Sequence, residues 1–317
     1  MTQDTQKQHG ALYLRVRPQE FDEVLGNDAA VQTLQQALQK PEETRPHVFA
    51  LLGLSGGGKT TLAHICAKAL GAEESDIHER NCSKDTGKDA MDDLTESFQY
   101  LPGAGPCSVH ILDESHFLSR QAWSTLLKPM EDCPKHVYIF ILTSEAPKVP
   151  TANMNRCLSV EVKPLGSRDA TALIRRTLKS EGIELSKDAW APIIEASEGS
   201  SRQILQNVEK VAGALSSGAE LGEALALVTG ATEDAPGVKE LYKALCAGSR
   251  ATRDALKALK SMDPEALRRG VGGYATAIWM NTGDEKPLRI MQAMSSGNTY
   301  DCGFMGLATM CSMVAEG

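Results

Sequence analysis

Between residues 46 and 163, short and continuously apolar runs alternate with stretches of helical spacing. HVFALL (47–52), SVHILD (108–113) and HVYIFILT (136–143) read as buried strands, and LSVEV (158–162) as a shorter fourth. Between the first two, KTTLAHICAKAL (59–70) repeats its apolar positions every three to four residues, the period of a helix. Apolar strands separated by helices predict an α/β fold with a parallel sheet covered on both faces. Lys163-Pro164-Leu165-Gly166 breaks this pattern, and everything beyond it reads as helix. SRDATALIRRTLKSEG (167–182) opens on a serine suited to capping and stops at Gly182; SKDAWAPIIEASEG (186–199) and SRQILQNVEKVAGAL (201–215) follow the same scheme. TGATEDAPG (229–237) reads as a linker, and the tail to Gly317 is helical in pattern but interrupted by glycines. The expected organisation is an α/β domain over 1–163, a small helical domain over 164–233 and a helical C-terminal domain over 234–317.

Bulk properties narrow the class without naming a function. A chain of 317 residues suits two or three domains, and 42% apolar with 23% charged residues is ordinary for a soluble globular protein. No apolar run approaches the roughly 20 residues that span a bilayer, so no membrane contact is expected. The leading MTQDTQKQHG is too polar for a secretory signal. Eight cysteines with no C-x-x-C spacing argue for reduced thiols in a cytoplasmic protein over a zinc or disulfide framework. A net charge of −8 argues against a broad basic face for nucleic acid, yet leaves room for a small local set of lysines pooled among subunits.

Two motifs bring in chemistry. Gly53-Leu54-Ser55-Gly56-Gly57-Gly58-Lys59-Thr60 fits G-x-x-x-x-G-K-[ST] and lies between a predicted strand and a predicted helix, the setting that pattern requires. Glycines let backbone N–H groups close around phosphate oxygens, and the helix N-terminus adds a favourable dipole. Gly56, Gly57, Gly58, Lys59, Thr60 and Thr61 form this candidate cradle, with Lys59 reaching the β- and γ-phosphates and the Thr60 hydroxyl on Mg²⁺. The alternative is a glycine-rich turn without function. Val109-His110-Ile111-Leu112-Asp113-Glu114 is an apolar strand ending in two carboxylates. Asp113 is placed for the metal and Glu114 for polarising an attacking water, unless the pair merely forms a solvated turn. Together the motifs indicate a nucleoside triphosphate hydrolase of the P-loop class, with Mg²⁺ as the expected metal.

The stretch from Phe98 to Leu165 goes further. Its HILDESHFLSR, STLLK, ILTSEAPKVP and Asn155-Arg156-Cys157 closely resemble, in order, motifs of the bacterial gamma/tau clamp-loader subunits, AAA+ ATPases of DNA replication. RVRPQEFDEVLGN (15–27) is similar to the leading segment of that family, and GSSRQILQNVEK (199–210) to its lid helix. The resemblance covers residues 12–215. It implies ATP as the nucleotide, an AAA+ domain, a helical lid and a helical collar, and an ATPase that opens a sliding clamp and loads it on primer-template DNA. Implied partners are the clamp, the DNA and further loader subunits in a pentameric ring with a small partner subunit. Carried over residue by residue, Ser144 becomes a sensor of the γ-phosphate, Arg202 the lid arginine acting in its own subunit, and Arg156 an arginine finger for the neighbour's ATP. Serine reaches less far than the asparagine or threonine usual at position 144, and Asn155 replaces the usual serine. Arg15 and Arg17 resemble residues beside the base and ribose. Val16, Val24 and Leu25 would then touch adenine, or else only pack this segment onto the sheet. The family's cysteine zinc cluster is missing, since only Cys66 and Cys82 follow the phosphate loop there. That makes the chain look more like bacteriophage large subunits or small subunits of replication factor C.

The resemblance also implies DNA and clamp contacts. Lys84, Lys88 and Lys128, with Arg120 behind them, are candidates for phosphate contact, although each alone also suits a solvated face and Asp92 stands where relatives are often basic. Met91, Leu94, Phe98 and Tyr100 form an apolar stripe that is normally core-facing. Phe98 and Tyr100 are nonetheless candidates for anchoring in a clamp pocket. Competing readings are another AAA+ machine, such as a branch-migration motor or helicase loader, and a non-hydrolysing loader subunit. The intact Lys59, Asp113 and Glu114 weigh against the last.

Overall fold

A computed structural model describes residues 10–229, 237–260, 262–296, 299 and 303–315. The expected linker at 229–237 falls mostly outside them. The chain divides into two compact units: the described residues of Met1–Ile183 with Ser197–Gln206, and Glu184–Ala196 with the described residues of Asn207–Gly317.

The first unit contains, in chain order, α1 (Leu12–Arg15), α2 (Asp28–Leu38), β1 (Val48–Leu52), α3 (Lys59–Ala69), β2 (Ile77–Asn81), α4 (Lys88–Ser97), β3 (Ser108–Asp113), α5 (Arg120–Glu131), β4 (Val137–Thr143), α6 (Thr151–Met154), β5 (Leu158–Glu161) and α7 (Ser167–Glu181). The strands form one sheet in the order β2-β3-β4-β1-β5, every pairing parallel. Alternate residues of β1 supply opposite faces. Phe49 and Leu51 pack with Leu34 of α2 and Leu62 and Cys66 of α3, while Val48 and Ala50 pack with Met91 of α4 and Trp123 and Leu126 of α5. Both faces are dry, so the central strands read as unbroken apolar runs.

The strand β2, Ile-His-Glu-Arg-Asn, is absent from the sequence reading. It is an edge strand paired only with β3, and its polar side chains are largely exposed, so it carries neither an apolar run nor an alternation. Ahead of β3, the buried Asp76 carboxylate accepts the backbone N–H groups of Gly103, Ala104 and Gly105 at 2.6, 3.0 and 2.6 Å. Those bonds hold its pKa below the usual carboxylate range and fix the loop that delivers β3. Ser119 caps α5, accepting from the Ala122 N–H at 3.1 Å. The expected serine cap of α7 is corrected: Gly166 occupies the cap, and Ser167 is the first helical residue. Gly182 ends α7 in the left-handed region as expected.

The second unit is helical in its described residues. It holds α8 (Trp190–Ala196), the later part of α9 (Ser201–Ser216), α10 (Leu221–Thr229), α11 (Val238–Ala247), α12 (Ser249–Ala258), α13 (Pro264–Thr282), α14 (Glu285–Ser295) and α15 (Gly303–Ala315). Leu241, Leu267, Val271, Ile290, Leu307 and Cys311 centre the core of α11 to α15. One of the interrupting glycines has a packing reason: a Cβ on Gly270 would stand 2.6 Å from Val238 Cγ2, so glycine lets α13 approach α11.

Candidate functional site

The parallel register brings three strand ends to one edge. Leu52 pairs with Thr143, and Leu112 with Ile141, so the loop after β1, the acid pair of β3 and the end of β4 are neighbours. Ligands of open parallel sheets bind at such carboxyl ends. The glycine loop closes over the start of α3. Gly56 has φ 73°, and a Cβ there would lie 2.3 Å from Ser200 Oγ, so both conformation and space demand glycine. Lys59 is 5% exposed, and its ammonium donates to the carbonyls of Gly53 and Leu54 at 2.7 and 3.0 Å. Burial lowers its pKa, opposed by the nearby carboxylates of Glu114 and Asp113. The Thr60 hydroxyl donates to Asp113 Oδ2 at 3.3 Å, and the other Asp113 oxygen accepts the Glu114 N–H at 2.9 Å. A hydroxyl and a carboxylate converging at this distance are the hard oxygen donors that suit Mg²⁺.

These groups line a cleft of about 360 Å³. Of the residues expected there, Val16, Arg17, Leu25, Gly56, Gly57, Gly58, Lys59, Thr60, Thr61, Asp113, Glu114 and Arg202 all line it, as does Val24. Arg17 donates through Nε to Thr61 Oγ1 at 3.1 Å. Its pKa is lowered by burial first and by the neighbouring Arg202 charge, with Glu79 and Asp113 acting in the other direction. Arg202 stands over the Tyr13 ring, 5.6 Å from its centroid, and Ser201 Oγ donates to the Gly56 carbonyl at 2.9 Å, so the start of α9 closes on the phosphate loop.

Arg15 is a correction. It is not part of the cleft lining; its guanidinium pairs with Glu181 of α7 at 2.8 Å and donates to the Gly10 carbonyl. At about 100° per residue, a turn that aims Tyr13, Leu14 and Arg17 at the cleft rotates Arg15 away. Sequence reasoning missed Tyr13, Leu14, Glu79, Leu173, Arg176 and Leu205. Glu79 belongs to the unrecognised edge strand, where the hydrogen bond from His64 at 2.9 Å lowers its pKa. Leu173 and Arg176 lie on one face of α7, which no local motif distinguishes.

Ser144 directly follows the last residue of β4, and its hydroxyl has no hydrogen-bond partner among the described residues. Arg156 lies outside the cleft lining of its own chain. Its guanidinium bonds Glu131 at the end of α5 at 2.6 and 3.2 Å and the Ala152 carbonyl at 2.7 Å. The turn that carries it is anchored by the buried Asn153, whose amide donates to the Trp123 carbonyl at 3.0 Å.

Lys84, Lys88, Arg120 and Lys128 are all exposed, and Lys88 lies 3.6 Å from Asp92 one turn on. The aromatic pair splits. Phe98 is a correction: it is 3% exposed, lies in the core with Met91 and Leu94, and tilts against the His110 ring at 4.8 Å. Tyr100, two residues on, is 68% exposed beside Leu101 at 79%. Among the described residues, no cluster of three or more histidines, cysteines and acids is arranged to hold a metal ion by itself, and no helix is long and apolar enough to cross a membrane.

Comparison with known proteins agrees with this geometry. Residues 49–165 match the model of the ATPase family associated with various cellular activities (AAA). The chain is 29% identical over 216 residues to DNA polymerase III subunit gamma of Buchnera aphidicola subsp. Baizongia pistaciae, covering 62% of this chain and 58% of that one. It is 28% identical over 281 residues to DNA polymerase III subunit tau of Bacillus subtilis, covering 82% and 48%. Against subunit tau of Escherichia coli it is 29% identical over 210 residues, covering 60% and 32%. The chain thus spans from about a third to three fifths of the length of these relatives. In fold it is similar to the RuvB Holliday junction branch migration motor of Thermotoga maritima, with a TM-score of 0.57, 21% identity, and 83% of this chain and 91% of that one covered. The chain therefore carries a nucleotide-binding AAA ATPase domain and is a homologue of the gamma/tau subunits of DNA polymerase III.

Proposed function

We propose that this chain is an ATP-hydrolysing subunit of a sliding-clamp loader of bacteriophage type, working with the clamp, primer-template DNA and further loader subunits in a pentameric ring with a small partner subunit. The convergence of Lys59, Thr60, Asp113 and Glu114 on one cleft carries the ATPase part of the reading, and the gamma/tau homology carries the rest. In this account the triphosphate lies over the N-terminus of α3, and the Lys59 ammonium exchanges two backbone carbonyls for the β- and γ-phosphates. Thr60 and Asp113 are the residues that would hold Mg²⁺, which would supply positive charge against the phosphate oxygens. The Glu114 carboxylate polarises water for in-line attack on the γ-phosphorus, the bond to the bridging oxygen breaks, and ADP carries that oxygen away. Arg202 contacts the phosphates in the same chain, Ser144 senses the γ-phosphate, and Val16, Leu25 and Tyr13 flank the base.

Arg156 acts on the ATP of a neighbour, which accords with its place outside its own cleft. Lys84, Lys88 and Lys128 contact DNA phosphates without reading sequence, and Tyr100 remains the exposed candidate for the clamp. Residues 164–233 serve as the lid and 234–317 as the collar. The relatives matched in sequence at 29% and 28% identity are gamma and tau subunits, whereas the likeness to the branch migration motor, at 21% identity, is one of fold, which favours the loader. The test is hydrolysis of ATP by the purified chain, alone and with its genomic neighbours. Clamp and primed DNA together should stimulate hydrolysis; stimulation by four-way junctions instead would favour the motor.

A further inference from the structure

His116 stands three residues beyond Asp113 in the short turn Ser115–Phe117 that follows β3. Its side chain is 4% exposed, and both ring nitrogens face a carboxylate. Nδ1 lies 3.5 Å from Glu114 Oε2 and 3.2 Å from the hydroxyl of Thr143, the last residue of β4. Nε2 lies 3.4 Å from Glu145 Oε1. The Thr143 oxygen in turn accepts the Glu145 N–H at 3.0 Å, and Lys148 holds Glu145 at 2.8 Å. The turn itself is fixed to β4, because Ser115 Oγ donates to the Leu142 carbonyl at 3.0 Å. One imidazole therefore bridges the acid of one strand end and the residues on both sides of Ser144 at the next.

Glu114 needs such a partner. Its backbone is in the left-handed region, φ 51°, its side chain is 28% exposed, and no lysine or arginine stands within salt-bridge distance of it among the described residues. We propose that His116 is a positioning residue that ties the Glu114 carboxylate to the segment 143–145, so that the stretch containing Ser144 sets where Glu114 stands. This rests on the reading of Glu114 as the group that polarises water. Packing alone would be met by any flat ring of this size; a polar atom at the Nδ1 position, between Glu114 and Thr143, is what the positioning role requires.

The test compares His116→Phe, His116→Asn and His116→Gln in the full chain, with Glu114→Gln as reference. It measures single-turnover phosphate release, affinity for a fluorescent ATP analogue, and thermal unfolding. Asparagine keeps a polar group near the Nδ1 position, whereas glutamine reaches only toward Nε2. His116→Phe and His116→Gln should each lose on the order of ten-fold in hydrolysis, a part of the roughly 10²–10⁴ that a positioned base supplies. Nucleotide affinity should change less than about two-fold, and His116→Asn should recover most of the rate. Adding His116→Phe to Glu114→Gln should cost nothing more, because the residue acts through Glu114. Wild-type hydrolysis by His116→Phe and His116→Gln beside an inactive Glu114→Gln overturns the inference. So does an equal further loss in the double variant, or a fall in affinity that accounts for the fall in rate. A fully active Glu114→Gln sinks the reading of Glu114 itself, a separate outcome.

Discussion

Lys59 shows how much a single side chain in this site carries. It is almost buried, its charge is tolerated because Glu114 and Asp113 face it, and two backbone carbonyls hold it ready at the mouth of the phosphate loop. Lys59→Ala removes the only flexible cation of the loop while leaving its backbone N–H groups in place. Affinity for a fluorescent ATP analogue should fall at least about ten-fold, since charge-assisted bonds are worth roughly 1.5–3 kcal/mol each. Thermal unfolding without nucleotide should be nearly unchanged. Unaltered affinity would remove the phosphate-loop assignment. Residues in dense local motifs, such as Lys59, Thr60 and Asp113, were legible as cleft lining because their placement depends on neighbours in sequence. Arg15 and Phe98 were misread because their roles depend on rotation about a helix and on what covers it.

At the scale of elements, the C-terminal helices turn on one buried acid. Glu265, in the first turn of α13, accepts from Arg268 at 2.6 and 2.9 Å, from Arg269 at 2.9 Å, and from the N–H and hydroxyl of Thr299 at 3.0 and 2.7 Å. Arg268 also donates to the Met294 carbonyl, so the acid ties α13 to the end of α14. Burial alone would raise its pKa, but the bonds from Arg268, Thr299 and Arg269 outweigh it and bring the value down to about 2. A depressed carboxylate stabilises the fold above its unfolded pKa, and that contribution is lost as pH falls toward the folded value. Glu265 should therefore contribute on the order of 2–3 kcal/mol near neutral pH, fading between about pH 4.5 and 2. Thermal unfolding should place Glu265→Gln well below wild type at pH 7, with the gap closing as pH approaches 3. A gap independent of pH would mean the variant acts through packing. Sequence pattern located these helices but not their tie, since Glu265 and Thr299 are 34 residues apart.

For the whole molecule, the open question is whether one chain is a complete machine. The cleft holds its own lysine, threonine, acid pair and Arg202, while Arg156 is engaged with Glu131 outside it. Arg156→Ala chains should bind nucleotide normally, because every cleft residue remains. Assemblies made only of that variant should lose stimulated hydrolysis by about 10³, the lower range for arginine fingers. Mixing Arg156→Ala with Lys59→Ala chains should restore part of it, because one chain offers the finger and the other the intact cleft. No recovery in the mixture, with an equal defect in isolated chains, would place Arg156 in its own site.

Sequence alone determined the residues of the glycine loop and acid pair, the parallel sheet and the helical character of the described remainder. Glycine spacing, paired acids and doubly buried strands leave local signatures, because their physics acts over a few residues. Tertiary structure decided the rest of the cleft. Glu79 enters it through a polar edge strand, Tyr13 and Leu173 through the faces of α1 and α7, and Ser201 through a bond to a carbonyl 145 residues away. The His116 bridge belongs to the same class. It exists only because parallel pairing of β3 with β4 sets the turn after Glu114 beside Thr143 and Glu145, a proximity that hydrogen bonds between strands create and that residues separated by 27 positions in the chain do not announce.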